Sequence, residues 1–528
     1  MGLLLITAVA GILPGFQSCK EEPEIPEVPF NRLLQSETIE SGIFKRSVEY
    51  AVLLPENYNT SSDSFPVVYL LHGFGDNHTA WFKYGLIKYY SDKYASENGP
   101  MIFVMPQGFN SYYVNRYNGN VAYMDFFTTE LLPAIDSIYR TRKDKSQRAV
   151  MGFSMGGYGA LILPVMNPDL FSVSVPLSMS FRTDEQYLAE PDWVFDSQWA
   201  PIFGGMGATG SARLTDYFKQ FSPFYFFAGG DASGFNELKI LIDCGDDEET
   251  LSVTNNALHC LMREKGVKHE YRVRDGAHSW DYWHNSIGEA LRFMSYAFRG
   301  ETYPDHSNAV DVGAPVPAES IQSLRISATE LEAAVLLPPG YDAINGSYPV
   351  IYLIHDFVTG KREEQRDSLF SLFYNSMSGS KLNKALVVEI PSDVEAISAE
   401  AMKGVIDQID IAFKTRQNRN ARLLMGNGTG GALAASVVAV DSLSYASCCL
   451  FNAYLPNGTT TVTGGVFYYL DESDQGQAYN SYKNLYSDIR KRNLNYEYRV
   501  RQGDDSFQSF LDGLSASFTV LKKRLSST

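Results

Sequence analysis

The chain has little cysteine, and what it has is poorly spaced for metal or disulfide chemistry. Five cysteines are spread over 528 residues. Cys448 and Cys449 are adjacent, so in a strand they face opposite ways. Cys244 and Cys260 read as two buried thiols rather than a bridge. No Cys/His spacing fits a metal site, so neither a metal nor a cofactor is expected. Positive charge is scarce too: 44 Lys and Arg against 61 Asp and Glu give a net charge of −17. Phosphate binding needs a basic face, which excludes nucleic acid as the partner. Past the N-terminus no apolar run is long enough to cross a bilayer. The second half lacks two residue types altogether or nearly so: no tryptophan follows Trp283, and no histidine follows His355. What is plentiful is core-forming material, 45% hydrophobic and 13% aromatic, which excludes disorder.

At the N-terminus, Leu3 to Phe16 is almost wholly apolar yet short for a membrane span, and reads as the core of a signal peptide over residues 1–18. Phe16-Gln17-Ser18-Cys19 resembles a bacterial lipoprotein cleavage site, with Cys19 as the lipidated residue, although Met1-Gly2 supplies no basic charge. Lys20-Glu21-Glu22 resembles the surface-export signal of Bacteroidetes lipoproteins. The proline- and acid-rich stretch over 19–36 is then an extended tether. The implied location is the cell surface or outer membrane, or alternatively facing the periplasm, with membrane contact only through Cys19.

Residues 37–300 alternate buried strands with amphipathic helices. Edge strands end at Pro55. Buried strands follow at 66–71, 101–106, 148–153, 238–245 and 269–274, and helices at 125–139, 252–265 and 286–298. This is a mostly parallel sheet with helices on both faces, and its ligands bind beyond the carboxyl ends of the strands. A linker occupies 301–320, and the pattern then repeats over 321–526. His72 returns as His355 at an offset of 283, Gly152 as Gly426 at 274, and Glu270-Tyr271-Arg272-Val273-Arg274 as Glu497-Tyr498-Arg499-Val500-Arg501 at 227. The chain is two copies of one fold, and the drop from 274 to 227 gives the first copy 47 extra residues.

Gly152-Phe153-Ser154-Met155-Gly156 is a G-x-S-x-G stretch between a strand and a helix, a turn that presents a serine at its apex. A serine hydroxyl is a weak nucleophile until an imidazole takes its proton and a carboxylate orients that imidazole. His278, in Asp275-Gly276-Ala277-His278, follows the last strand of the first copy. The acid lies in Gly245-Asp246-Asp247-Glu248-Glu249, with Asp247 and Glu248 the candidates and Asp243 the weakest. The amides of Met155 and Phe74, the latter in the Gly73-Phe74-Gly75 loop, are the oxyanion donors. His72 beside that loop reads as structural. Trp81, Trp193, Trp199 and Trp280 are candidate substrate platforms, with core filling as the competing role. The extra segment, about 178–234, would shape the pocket with Trp193, Trp199, Tyr187, Phe195, Phe203, Tyr217 and Tyr225.

Leu70-Leu71-His72-Gly73-Phe74-Gly75, Glu130-Leu131-Leu132-Pro133-Ala134-Ile135-Asp136, Gly152-Phe153-Ser154-Met155-Gly156-Gly157, Ile242-Asp243-Cys244-Gly245 and Gly276-Ala277-His278-Ser279-Trp280 together resemble the esterase D / feruloyl esterase family, which includes bacterial feruloyl and acetylxylan esterases. The resemblance spans residues 45–298. It implies two tandem α/β-hydrolase domains and a carboxylic ester hydrolase acting on an acylated polysaccharide or oligosaccharide. It favours Glu248 as the acid, since the family places its acid three residues after the glycine at 245. Other esters or thioesters, or glycan binding without turnover, are the alternatives. In the second copy, Ser154 maps to Gly428 and His278 to Asp505, while the 227 offset carries Glu248 to Gln475 and Asp247 to Asp474. The second copy is therefore expected to be a dead hydrolase fold, either a brace or a glycan-binding module.

Overall fold

The computed structural model describes residues 34–229, 232–304, 310–326, 331–358, 360–391, 397–455 and 462–526. The signal core, Cys19 and the tether up to residue 33 lie outside the described residues. Residues 34–36, assigned above to the tether, are already in a strand, because Leu34 pairs with Leu53 and extends the first ladder.

The first domain is an eight-stranded sheet in the order β1-β2-β4-β3-β5-β6-β7-β8. Its strands are β1 (Leu34–Ser41), β2 (Arg46–Leu53), β3 (Val67–Leu71), β4 (Ile102–Pro106), β5 (Arg148–Phe153), β6 (Val173–Leu177), β7 (Lys239–Gly245) and β8 (Glu270–Arg274). β1 and β2 are antiparallel, and β3 to β8 run parallel. Every residue of β3, β4, β5 and β6 is buried, as expected for parallel strands covered on both faces. The main helices are α1 (Met155–Met166), α2 (Glu249–Glu264) and α3 (Trp280–Phe298). α3 starts six residues earlier than its apolar spacing suggests. Ser279 is extended (φ −149°) and Trp280 turns directly into the helix.

The second domain repeats this strand for strand: β9 (Ile321–Ile326), β10 (Leu331–Leu336), β11 (Val350–His355), β12 (Leu386–Pro391), β13 (Arg422–Asn427), β14 (Ser447–Phe451), β15 (Phe467–Ser473) and β16 (Tyr496–Arg501). Its helices α4 (Thr429–Val440), α5 (Tyr479–Lys491) and α6 (Phe507–Ser526) correspond to α1, α2 and α3.

The two sheets are one. β8 pairs antiparallel with β16 to give 16 continuous strands, and the registered pair is Val273 with Val500. These residues are counterparts at the 227 offset, so a local two-fold passes between them, the geometry of an isologous dimer written into one chain. The pairing satisfies an edge that an isolated domain would expose.

The domains differ mainly in one insertion. The offset falls from 274 at β6 and β14 to 228 at β7 and β15, so 46 of the 47 extra residues lie between β6 and β7. They fold into short helices around an aromatic core. Phe181 stacks on Tyr158 (4.9 Å, 9°) and on Phe218 (5.5 Å, 10°), and Tyr187 stacks on Phe218 (4.0 Å).

Candidate active site

Ser154 sits between β5 and α1 with φ 59° and ψ −119°. For a residue with a side chain this backbone costs about 1–3 kcal/mol. The surrounding glycines are sterically compelled. A Cβ on Gly152 would lie 2.2 Å from the Gly156 carbonyl oxygen, one on Gly156 2.2 Å from the Leu71 oxygen, and one on Gly157 2.5 Å from the Leu177 oxygen. The turn is pinned by the Ser154 amide donating to the Leu177 carbonyl (3.0 Å) and the Ser180 amide donating to the Ser154 carbonyl (3.0 Å). Met155 opens α1, so its amide has no intrahelical carbonyl to reach.

The loop after β3 closes on the same turn. A Cβ on Gly73 would lie 2.7 Å from the ring of Phe153. The Asp76 amide donates to the Gly73 carbonyl (3.2 Å), Gly75 takes φ 82°, and the Gly75 amide donates to Asn110 Oδ1 (2.8 Å). The Phe74 amide lies inside this fixed turn, while the Phe74 side chain is exposed. His72 is buried, with Nε2 receiving the Gly108 amide (2.8 Å) and Nδ1 beside the Gly73 carbonyl (2.8 Å). Burial pushes its pKa down to about 4. It braces the loop and has no free nitrogen for a base.

His278 Nδ1 lies 2.8 Å from Glu248 Oε2. Its ring stands edge-on to Trp283 (5.0 Å, 85°), and Trp283 packs on Phe153 (4.5 Å), the residue before Ser154. Nε2 is left for a second partner. Glu248 is buried, and its other oxygen accepts the Gly245 amide (2.8 Å) and the Ser178 hydroxyl. Ser178 in turn accepts Trp283 Nε1–H (2.7 Å). Asp247 points to solvent, and its amide donates to the Gly276 carbonyl of the histidine loop (3.0 Å). Asp243 is taken up by Tyr282, Ser286 and Arg274 below the site. Ser178 and Trp283 escaped the sequence reading. A serine at φ 48° after β6 carries no motif, and Trp283 is one of five tryptophans with nothing in the chain to rank it.

The tryptophan platforms need correction. Trp81 is 1% exposed and donates Nε1–H to the Leu71 carbonyl (2.9 Å); Trp199 is fully buried against Tyr112 (5.1 Å). Both fill core. Trp280 is half-buried between Trp81, Phe153 and Trp283. Trp193 alone presents its ring to solvent, at 75% exposure. Tyr187, Phe195 and Phe203 of the insertion are buried as well.

The second copy keeps the scaffold without these side chains. Gly428 has φ 58° and ψ −124°, the backbone of Ser154. Asp356 stands at the oxyanion loop and accepts the Thr429 hydroxyl (2.9 Å). The acid position is corrected by one residue. The Asp474 amide donates to the Arg501 carbonyl and the Gln475 amide to the Gly503 carbonyl, as those of Asp246 and Asp247 do to Arg274 and Gly276. Glu248 therefore corresponds to Gly476, and Asp474 to Asp246. A one-residue deletion before β16 shifts the apparent match.

Asp246, Asp247 and Asp275 place carboxylate oxygens within 4.8 Å of one another. The oxygens of Asp246 already accept Arg499, the Tyr498 amide and the Gly276 amide, so the group is not assigned to a metal.

A serine at a nucleophile elbow, with a carboxylate–histidine pair after the last two parallel strands, defines the α/β-hydrolase class. Residues 41–294 match the model of the family described as "Putative esterase". An acetyl esterase of Caldicellulosiruptor saccharolyticus is 23% identical over 274 residues, 48% of this chain and 95% of that protein. An esterase of Mycobacterium tuberculosis is 36% identical over 114 residues, 21% of this chain; the chain spans only 24% of that relative. Among solved structures, a ferulic acid esterase shares 28% identity, covering 50% of this chain and 98% of its own, with a TM-score of 0.43.

Proposed function

We propose that the first domain is a serine carboxylic ester hydrolase that removes acyl groups, feruloyl or acetyl, from plant polysaccharide at the cell surface. The observation that carries the reading is the Glu248–His278 pair, 2.8 Å apart, on the sheet end that presents Ser154. Ser154 Oγ attacks the ester carbonyl while His278 Nε2 takes its proton. Glu248 holds Nδ1–H and stabilises the imidazolium. The tetrahedral oxyanion forms against the amides of Met155 and Phe74. Its collapse returns the proton from His278 to the sugar oxygen, and the alcohol leaves an acyl-enzyme on Ser154. Water repeats the sequence, releasing the carboxylic acid and the free serine.

An acetyl group is suggested by the name of one similar protein, an acetyl esterase, and a feruloyl group on a xylan carrier by that of another, an endo-1,4-beta-xylanase/feruloyl esterase of Xylanibacter ruminicola, 31% identical over 129 residues. Exposed Trp193 offers one face for a sugar ring. Lipidation at Cys19 would hold the enzyme at the surface. Turnover of chromogenic acetate and ferulate esters tests the reading, with Ser154→Ala expected to lose on the order of 10⁴-fold or more in kcat while staying folded. Unchanged turnover in that variant refutes it. Release of ferulate or acetate from xylan, compared with small thioesters, decides the substrate.

A further inference from the structure

The loop that carries Glu248 is held from outside its own domain. Asp246, two residues before Glu248, is 2% exposed. Its Oδ2 accepts the Tyr498 amide (3.0 Å) and Arg499 Nη1–H (2.6 Å), and its Oδ1 accepts the Gly276 amide (3.2 Å). Its main-chain carbonyl accepts the hydroxyls of Tyr486 and Tyr496, each at 2.9 Å. Tyr486 also reaches Ser252 Oγ in the first turn of α2 (2.8 Å). Four of the five donors to Asp246 belong to the second domain. The fifth, Gly276, is in the turn that delivers His278. One residue thus joins the second domain to both loops of the candidate triad.

We propose that the second domain is a positioning subunit of the active site: through Asp246 it sets the Glu248 loop against the His278 turn, making Arg499, Tyr498 and Tyr486 positioning residues for the first domain's reaction. The proposal rests on the ester-hydrolase reading. Its rival is that these bonds only hold the seam together, and the local two-fold supplies the control. Asp474 makes the same set of side-chain contacts in the opposite sense: with Arg272 (2.6 Å), the Tyr271 amide (3.1 Å) and the Gly503 amide (3.1 Å). Beyond it stand Gly476 and Asp505 rather than an acid and a histidine. Cohesion is shared by both sites. Positioning of a triad belongs to Asp246 alone.

The test compares Asp246→Asn with Asp474→Asn in the full chain, reading kcat, KM and thermal unfolding. Both variants should lower the melting midpoint. Displacing a catalytic group by about an ångström costs up to roughly 100-fold, so Asp246→Asn should lose about 10- to 100-fold in kcat with KM little changed. Asp474→Asn should keep the wild-type kcat and KM. Equal kcat losses in the two variants, or no loss in Asp246→Asn, overturn the proposal while leaving the hydrolase reading intact. Inert wild-type protein overturns both. Should Asp246→Asn fail to fold, Tyr486→Phe and Arg499→Lys decide: a smaller kcat loss with KM little changed supports positioning, and wild-type values in both refute it.

Discussion

The two domains hold the same elbow with different residues. Ser154 and Gly428 share φ near 60° and ψ near −120°. The glycines that permit the turn recur as well: a Cβ on Gly430 would meet the Ile354 carbonyl oxygen at 2.3 Å, as one on Gly156 meets that of Leu71. The turn is thus demanded by the packing of strand, helix and neighbouring strand, and not by the hydroxyl. In the first domain a serine carries the strain. In the second a glycine adopts the same conformation without it. Around Gly428 the chemistry has gone further in the same direction. Asp356 brings negative charge where an oxyanion would form, and Asp505 stands where His278 would be. The Asp505 carboxylate accepts the Tyr454 hydroxyl and the Gln477 amide instead.

The sharpest way to break the comparison is to remove the pair that only the first domain has. Glu248→Gln should lower kcat about 10⁴-fold, since an amide cannot hold the imidazole's tautomer or its charge. Asp247→Asn should leave kcat near the wild-type value, its carboxylate being in solvent. Steady-state kinetics on one chromogenic ester checks both, and the reverse ranking would move the acid to Asp247.

A smaller effect concerns the insertion, the other feature the second domain lacks. Trp199 is fully buried among Tyr112, Tyr187 and Phe203, with the Arg182 guanidinium over its ring at 5.2 Å. Trp199→Ala should destabilise the protein by about 3–5 kcal/mol. Trp193→Ala should stay within about 0.5 kcal/mol, and any effect of it should appear in KM for a polysaccharide ester. Urea unfolding of the two variants tests this; comparable losses would mean that Trp193 is also packed.

These outcomes mark where the sequence was legible. The strands, the elbow and His278 are written locally, in apolar runs and in glycines whose neighbours leave no room. The repeat gave the second fold and its missing nucleophile. The acid was harder to read, because Asp246, Asp247, Glu248 and Glu249 are four carboxylates in a row. Two of them, Asp246 and Glu248, turn inward, and which one meets His278 depends on the backbone after Gly245 and on Ser178, 70 residues away. Trp193 and Trp199 could not be sorted, because their burial is decided by how the insertion folds over α1, where Phe181 stacks on Tyr158. The joined sheet was invisible: β8 and β16 share a sequence pattern as repeats do, and nothing in that pattern announces that they pair. The same similarity hid the one-residue shift that places Gly476 opposite Glu248.

The smallest expected effect runs the comparison backwards. Gly428→Ser restores the nucleophile's residue type to the second elbow. A Cβ there has room, with Asp356 Oδ2 at 3.4 Å and Tyr454 at 3.9 Å, so the cost is conformational rather than a clash. It should destabilise the protein by about 1–3 kcal/mol, and Ser154→Gly should stabilise it by a similar amount while abolishing turnover. The new hydroxyl would face the Asp356 carboxylate, with no imidazole to take its proton. In a Ser154→Ala background, Gly428→Ser should therefore restore no ester hydrolysis. Measured turnover in that double variant would show that the second domain had lost only its nucleophile. A strained but silent serine would show that the acid, the base and the oxyanion loop have gone as well.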